Sequence, residues 1–293
     1  MGERTRDSPT RRIARGDPLW PARFASVEVE PTALWLRGRC ELLDAPRRVA
    51  IVGSRSPTPY GLAQATRFAR ALAECGVAVV SGLARGVDEA AHWAALDANG
   101  ATIAVLGCGV DRPWPGGPLA DRVTRDGLAL SEFAPGVGPR RHHFPLRNRI
   151  IAALSDAVLV IEAAHASGSL ITARWAADQG QTVFALPGRV DHPMARGTLR
   201  LIREGATAVD SPRMLLEDLY GEGLAPDDGP SRPDPRWTDD EKALVSALTG
   251  ETLAAADVAT RAEVELTAAL AGLTSLELAG VVRRGPGGLY SIS

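Results

Sequence analysis

The sequence predicts a doubly wound α/β domain with a mostly parallel sheet, followed by a small winged-helix domain. Three observations predict this. From Arg48 onward, short runs rich in Val and Ile alternate with amphipathic segments, and glycine marks most junctions. The runs are uniformly apolar, which suits a strand only when both faces are covered, as in a parallel sheet between helical layers. Beyond a Pro-, Asp- and Gly-rich stretch the pattern changes to helices followed by a Gly-rich hairpin, as in a winged helix.

The elements follow in order. Residues 1–17 alternate Arg with Asp, Glu, Ser and Thr and contain no apolar core, so a disordered tail is expected there and not a signal peptide. Pro18–Arg39, with Val27, Val29 and then Leu34, Trp35 and Leu36, reads as one or two edge strands. Strands are predicted at Val49–Val52, Val77–Val80, Thr102–Leu106, Leu128–Ser131, Ala157–Ile161, Thr182–Leu186 and Thr207–Val209. Helices are predicted at Leu62–Glu74, Val87–Ala98, Leu119–Arg125, Leu146–Leu154, Leu170–Asp178, Leu199–Arg203 and Met214–Leu219. Residues 18–221 thus make one domain. Residues 222–236 carry almost no apolar content and read as a linker. Residues 237–293 hold helices at Asp240–Leu248, Ala255–Ala259 and Glu263–Ala279, then a hairpin ending near Ile292.

Composition narrows the function. The 293 residues suffice for two packed domains, and their formal charge of −2 means that any nucleic-acid site must be a local basic patch. Cys40, Cys75 and Cys108 lie far apart, with no CxxC and no Cys/His cluster. They read as reduced thiols of a cytoplasmic protein, not as a disulfide framework or a zinc site. The longest apolar stretch, Ile150–Ala164, is broken by Ser155, Asp156 and Glu162, so no membrane span is expected. No metal or cofactor is expected either.

In an open parallel sheet, ligands bind beyond the carboxyl ends of the strands. After the first strand come Gly53, Ser54 and Arg55 and then a helix, either an anion site or an ordinary turn with a solvated Arg. The spacing is not GxGxxG and no acidic ribose ligand follows, which disfavours a dinucleotide. Ser81 and Gly82, with Arg85 nearby, make a second amide-rich loop. Asp88 and His92, four residues apart, read as a capping acid with a half-buried histidine partner and not as an acid–base or metal pair. Ser167, Gly168, Ser169 and Thr172 open a third helix with phosphate-friendly groups.

The most unusual stretch is residues 133–155. It holds Arg140, Arg141, Arg147, Arg149, His142 and His143 around Phe144, with no acidic residue. Arginines hold phosphates while a ring stacks on an unpaired base, the combination a single-strand binder requires.

These residues bring a family into view. The runs from Val49 to Arg55 with Tyr60-Gly61, Ser81 to Asp88 with Ala91-His92, Thr102 to Gly107, and Phe144 to Ile151 resemble the DNA-processing protein A (DprA/Smf) family. So do Ser131-Glu132, Ser167 to Ala173, Ala185 to Gly188 and Gly205-Ala206. The resemblance spans residues 18–220. It implies an extended Rossmann-like core that binds single-stranded DNA, forms a homodimer and hands the strand to the RecA recombinase in natural transformation. It implies Arg55 as the central phosphate-binding arginine, Phe144 as the stacking ring and Arg141 as its basic flank. Gly53, Ser54, Ser81, Gly82, Arg147, Asn148, Arg149, Ser167, Gly168 and Ser169 would line the pocket. The chain departs from the pattern in three places. It has no room ahead of the core for the family's small helical domain. Leu199 stands where the family carries Asn. Trp114-Pro115, with a shortened Gly-rich loop, replaces a Tyr-Pro with a downstream Asn.

Two rivals use the same scaffold. A lysine-decarboxylase-like nucleoside phosphohydrolase needs a Pro-Gly-Gly-x-Gly-Thr-x-x-Glu helix start, and the corresponding helix here begins Ser167-Gly168-Ser169 with no Glu after it. A sensor of nucleotide derivatives would use the same pocket without turnover. The C-terminal module is expected to have a protein–protein or regulatory role and not to read DNA. It carries four bases against eight acids, a net −4, and Leu266, Leu270, Leu273 and Leu276 are spaced to face a core.

Overall fold

The computed structural model describes residues 9–27, 29–224, 237–278 and 281–292. The chain divides into two units, Met1–Asp227 and Asp228–Ser293.

The first unit runs β1 (Arg11–Ala14), β2 (Ala33–Gly38), β3 (Arg48–Val52), α1 (Pro59–Glu74), β4 (Ala78–Ser81), α2 (Val87–Asp97), β5 (Thr102–Val105) and α3 (Pro118–Asp126). It continues with β6 (Leu128–Ser131), α4 (His143–Leu154), β7 (Ala157–Val160), α5 (Ser169–Asp178), β8 (Thr182–Ala185), α6 (Arg196–Arg203), β9 (Thr207–Ala208) and α7 (Pro212–Tyr220). One nine-stranded sheet results, in the order β1-β2-β6-β5-β4-β3-β7-β8-β9. The β1–β2 and β2–β6 pairings are antiparallel, and the others are parallel.

The central strands owe their uniform apolarity to helices on both faces. Val49, Ile51, Val79 and Leu159 face α1, α2 and α7, meeting Phe68, Leu72, Ala91 and Leu215. Their neighbours Ala50, Val52, Val80 and Val160 face α4 and α5, meeting Ile150, Ile151, Ala173 and Ala176. Each fully buried Val, Leu, Ile or Phe contributes about 1.5–3 kcal/mol relative to exposure. Helix α1 begins earlier than its hydrophobic pattern alone predicts. Thr58 caps it through Gly61 N–H and Pro59 occupies the first turn, where a missing N–H costs nothing.

From β3 the chain steps outward through β4, β5 and β6. Then α4 carries it back to lay β7 on the other side of β3. The switch in direction therefore lies between β3 and β7, where sheets of this kind open a crevice at the carboxyl ends of the strands.

The N-terminal expectation needs correction. Residues 11–14 do not belong to a disordered tail, because they form β1 and pair with β2 from Arg11–Leu36 to Ala14–Ala33. Ile13, 1% exposed, closes this edge of the core together with Phe24 and Leu34. The strand expected near Val27 gives way to a 3-10 turn at Ala22–Ser26, leaving β2 as the strand of that segment among the described residues.

The second unit packs α8 (Asp239–Leu248), α9 (Ala255–Arg261) and α10 (Leu266–Leu278) against a three-stranded sheet. That sheet consists of β10 (Leu253–Ala254), β12 (Leu289–Ile292) and β11 (Val282–Arg284), in that order, with the hairpin β11–β12 antiparallel. Thr238 and Glu241 form a capping box at α8. Leu244, Leu248, Val258, Leu273, Leu276 and Tyr290 make its core. Leu266 and Leu270 were expected to join them, yet they stand 45% and 42% exposed. The predicted linker lies mostly outside the described residues, from 225 to 236.

Candidate nucleic-acid interface

The carboxyl ends of β3, β4, β5 and β7 and the start of α4 converge on one face, and each loop can be followed residue by residue. At β3, Gly53 is required by packing: a Cβ there would lie 2.6 Å from the Val87 side chain at the start of α2. Ser54 is buried, its hydroxyl accepting from Ser56 N–H at 3.1 Å and donating to the Met194 sulfur at 3.5 Å. Arg55 follows it into solvent.

The anion-binding expectation for this loop changes at the N-terminus of α1. Glu162, beyond the end of β7, places its carboxylate there, accepting from Thr58 N–H at 2.8 Å and from the Thr58 hydroxyl at 2.6 Å. It also fills the space a Cβ at Gly61 would need. The positive end of the helix is therefore neutralised from inside the protein.

Ser81 and Gly82 also serve the interior, contrary to the sequence expectation of a solvent-facing pocket. The Ser81 hydroxyl is fully buried and donates to Ile51 O at 2.6 Å. Gly82 N–H donates to Asp88 at 3.1 Å, and a Cβ on Gly82 would lie 2.6 Å from the Arg147 guanidinium. Burial raises the Asp88 pKa, against the opposing pull of Arg147. His92 is fully buried, not half-buried, and its Nδ1 bonds the Thr102 hydroxyl at 2.7 Å. Burial, reinforced by Arg147, pushes its pKa down to about 3, so the imidazole is neutral. Asp88 and His92 thus each have a partner of their own.

Helix α4 supplies the ring. His143 stacks on Phe133 with centroids 3.9 Å apart and meets Gly107 O through Nδ1 at 3.1 Å, which fixes the first turn. Phe144, half-buried, lies against Gly107, where a Cβ would come within 2.9 Å of the ring. The Arg55 guanidinium carbon is 5.6 Å from the ring centroid and that of Arg147 is 5.9 Å from it, both within cation–π range. Arg140, Arg141 and His142 precede the helix, all exposed.

The two arginines within α4 face inward, contrary to the expectation that they line the pocket. Arg147, 3% exposed, reaches inward to Gly82 O at 2.6 Å and to Val105 O. Burial pushes its pKa down to about 10, with Asp88 opposing. Arg149, 2% exposed, grips Glu132 through both terminal nitrogens at 2.9 and 2.6 Å and donates from Nε to Val29 O at 2.8 Å. Neither reaches solvent, so neither is placed to hold a phosphate. Both tie the end of the sheet to the helix that carries Phe144.

At the α5 start, expected to offer its N–H groups to a phosphate, those groups are taken up locally: Ser169 N–H donates to the Ser167 hydroxyl at 3.4 Å, and Leu170 and Ile171 N–H donate to Ser167 O and Gly168 O, each at 3.2 Å. The Ser167 and Ser169 hydroxyls bond each other at 2.8 Å, Gly168 is exposed with nothing crowding it, and Asn148 donates to Gly168 O at 3.3 Å. The bond from Asn148 joins α4 to this loop. The arrangement therefore offers exposed guanidinium groups beside a half-buried aromatic ring. Among the described residues no group of His, Cys, Asp or Glu could hold a metal, and no helix is long and apolar enough to cross a membrane.

Comparison with known proteins places these features. Residues 11–220 match the model of DNA recombination-mediator protein A, and residues 228–288 match the DprA winged helix domain. The chain is 40% identical over 285 residues to Protein Smf of Escherichia coli, covering 94% of this chain and 76% of that protein. It is 39% identical over 204 residues to DNA processing protein DprA of Bacillus subtilis, covering 69% and 68%. The structure of DNA processing protein A from Streptococcus pneumoniae superposes with a TM-score of 0.68 at 40% identity, covering 73% of this chain and 75% of that one. That of DNA processing protein A from Helicobacter pylori, described for its single-stranded DNA binding mode, superposes with a TM-score of 0.66 at 33% identity, covering 72% and 97%. On the full-length match of its core and the further match of its C-terminal unit, the chain belongs to the DNA recombination-mediator protein A (DprA) family.

Proposed function

We propose that this protein is a non-enzymatic binder of single-stranded DNA in DNA processing and natural transformation, protecting incoming strands as a homodimer and loading RecA for recombination. The observation that carries the binding step is the Arg55–Phe144 couple. An exposed guanidinium sits 5.6 Å from a half-buried ring at the end of the sheet, and exposed Arg140 and Arg141 lie just ahead of the helix that carries the ring. Such a couple holds a phosphate and stacks an unpaired base without reading sequence. The likeness to the Helicobacter pylori protein supports the same ligand.

The enzyme and nucleotide-sensor readings find less support. Asp88 and His92 are buried with partners inside the protein, away from any position from which they could exchange a proton with substrate. The helix start that cradles a nucleotide phosphate in many sheets of this type is filled here by the Glu162 carboxylate, which would repel it.

The winged-helix domain is assigned a protein-contact or regulatory role. Two of its bases are neutralised locally, Lys242 on Asp239 at 2.7 Å and Arg261 on Glu251 at 2.9 Å. Arg283 and Arg284, at the wing, are exposed and keep their charge, but two guanidinium groups draw DNA little to a domain of net charge −4. A chain ended after Leu224 should therefore keep its single-strand affinity to within about twofold, since the removed surface repels phosphate. Fluorescence anisotropy with a labelled oligonucleotide measures this, with circular dichroism checking the fold. If the folded, shortened chain lost most of its affinity, the site would have to include the winged helix and the assignment to the sheet end would fall.

A further inference from the structure

The loops that leave β3 and β4 abut at the carboxyl end of the sheet, where the two strands are neighbours. Gly86 makes the contact. Its φ of +86° and its missing side chain let the β4 loop lie directly on the β3 loop. A Cβ there would come within 2.5 Å of Ser54 O and 2.9 Å of the Arg55 carbonyl carbon. Val87 N–H donates to Ser54 O at 3.2 Å and closes the joint. Arg85 is the residue before Gly86, so two exposed arginines, Arg55 and Arg85, stand on backbones packed against each other. Two further arginines of the strand-end loops are neutralised locally, Arg112 by Asp111 at 3.9 Å and Arg189 by Asp191 at 2.8 Å. Arg55 and Arg85 form no ion pair with any described residue. The acids around them are engaged elsewhere, Asp88 by Gly82 N–H and Glu162 by Thr58. Glu89, half-buried on the first turn of α2, pairs with neither.

We infer that Arg85 is a further phosphate-binding residue, taking the phosphate next to the one held by Arg55 on the strand whose base stacks on Phe144. The inference rests on the reading of Arg55 and Phe144 given above. Like charges on abutting loops repel each other, and anions bound between them relieve the repulsion. A polynucleotide backbone supplies such anions in succession, at a fixed covalent spacing. The ligand group is a phosphate and not a base, because the β4 loop, Ser81 to Val87, brings no aromatic side chain to stack on.

The test compares the full chain with its Arg85→Ala, Arg85→Lys and Arg55→Ala variants. Anisotropy is read over a range of salt, on a labelled oligothymidylate and on a strand of equal length with abasic sites. Arg85→Ala should weaken oligothymidylate binding at low salt by about tenfold, the scale of one charge-assisted contact. It should also flatten the logarithmic salt dependence by about 0.7, the share of one phosphate. Arg85→Lys should restore the slope, because it keeps the charge. The loss for Arg85→Ala should be equal on the abasic strand, which keeps its phosphates. Three results would overturn the inference. One is an Arg85→Ala protein with unchanged affinity and slope. Another is lost affinity with an unaltered slope, which would mark a disturbed loop. The third is a loss confined to oligothymidylate, which would make Arg85 a base contact. Arg55→Ala separates this from the parent reading. If it weakens binding while Arg85→Ala does not, only the second phosphate contact fails. If Arg55→Ala leaves affinity and slope unchanged, the reading of Arg55 fails, and Arg85 is still decided by its own slope on the two strands.

Discussion

Replacing Arg149 by Ala should unfold the core more readily than any change at the exposed arginines, by about 3–5 kcal/mol. The guanidinium is 2% exposed and is the buried partner of Glu132, whose side chain is 13% exposed. Without it the carboxylate would remain in a low-dielectric site with no counter-charge, and Val29 O would lose its donor. For a unit of this size the loss corresponds to a thermal midpoint lower by roughly 10 °C. Differential scanning calorimetry of the full chain reads it. Adding Glu132→Gln should recover part of the loss, since a neutral amide need not carry a buried charge. A single variant as stable as the unaltered protein would show that Arg149 is not structural and would return it to the list of phosphate ligands.

The second large effect is expected on affinity. With Arg147 and Arg149 turned inward, the exposed arginines left among the expected contacts are Arg55, beside the ring, and Arg140 and Arg141, just ahead of its helix. If these neutralise about three phosphates, the logarithm of the association constant should fall with the logarithm of salt at a slope of roughly −2. That is about a twentyfold loss between 50 and 200 mM salt. Arg55→Ala should lower single-strand affinity by about tenfold, the scale of a charge-assisted contact, and flatten the slope by about 0.7. Arg12→Ala, on edge strand β1, should change neither. An Arg55→Ala protein with the original affinity and slope would refute the assignment.

The arginines before α4 and those within it show how far the sequence could be read. Central strands such as β3 and β7 were legible because a run like Val49–Val52 is apolar on both faces and has one stable setting. Strand β1 was not, because Ile13 is the lone large apolar residue of Arg11–Ala14 and its burial depends on Leu34 and Phe24. The location of the site was legible from the loops at the ends of the strands and from Phe144 amid basic residues. Which arginines face the ligand was not. Arg140 and Arg149 look alike in a segment without acids, and the acid that claims Arg149, Glu132, lies one residue before that segment begins. The inward turn of Ser81 and the filling of the α1 start by Glu162 are likewise long-range pairings, which local spacing does not reveal. Leu266 and Leu270 share the helical spacing of buried Leu273, yet the domain is too small to cover them.

The central claim is that the sheet end holds an unpaired strand through a stacked base. It is tested most directly by an anisotropy titration of the full chain at moderate salt, with a labelled single strand, its duplex, and mononucleotides as competitors. The account predicts binding of the single strand at least about tenfold tighter than the duplex, because paired bases hide the faces that Phe144 needs. It also predicts that mononucleotides displace the strand poorly. Equal affinity for duplex and single strand, or ready displacement by mononucleotides, would contradict it.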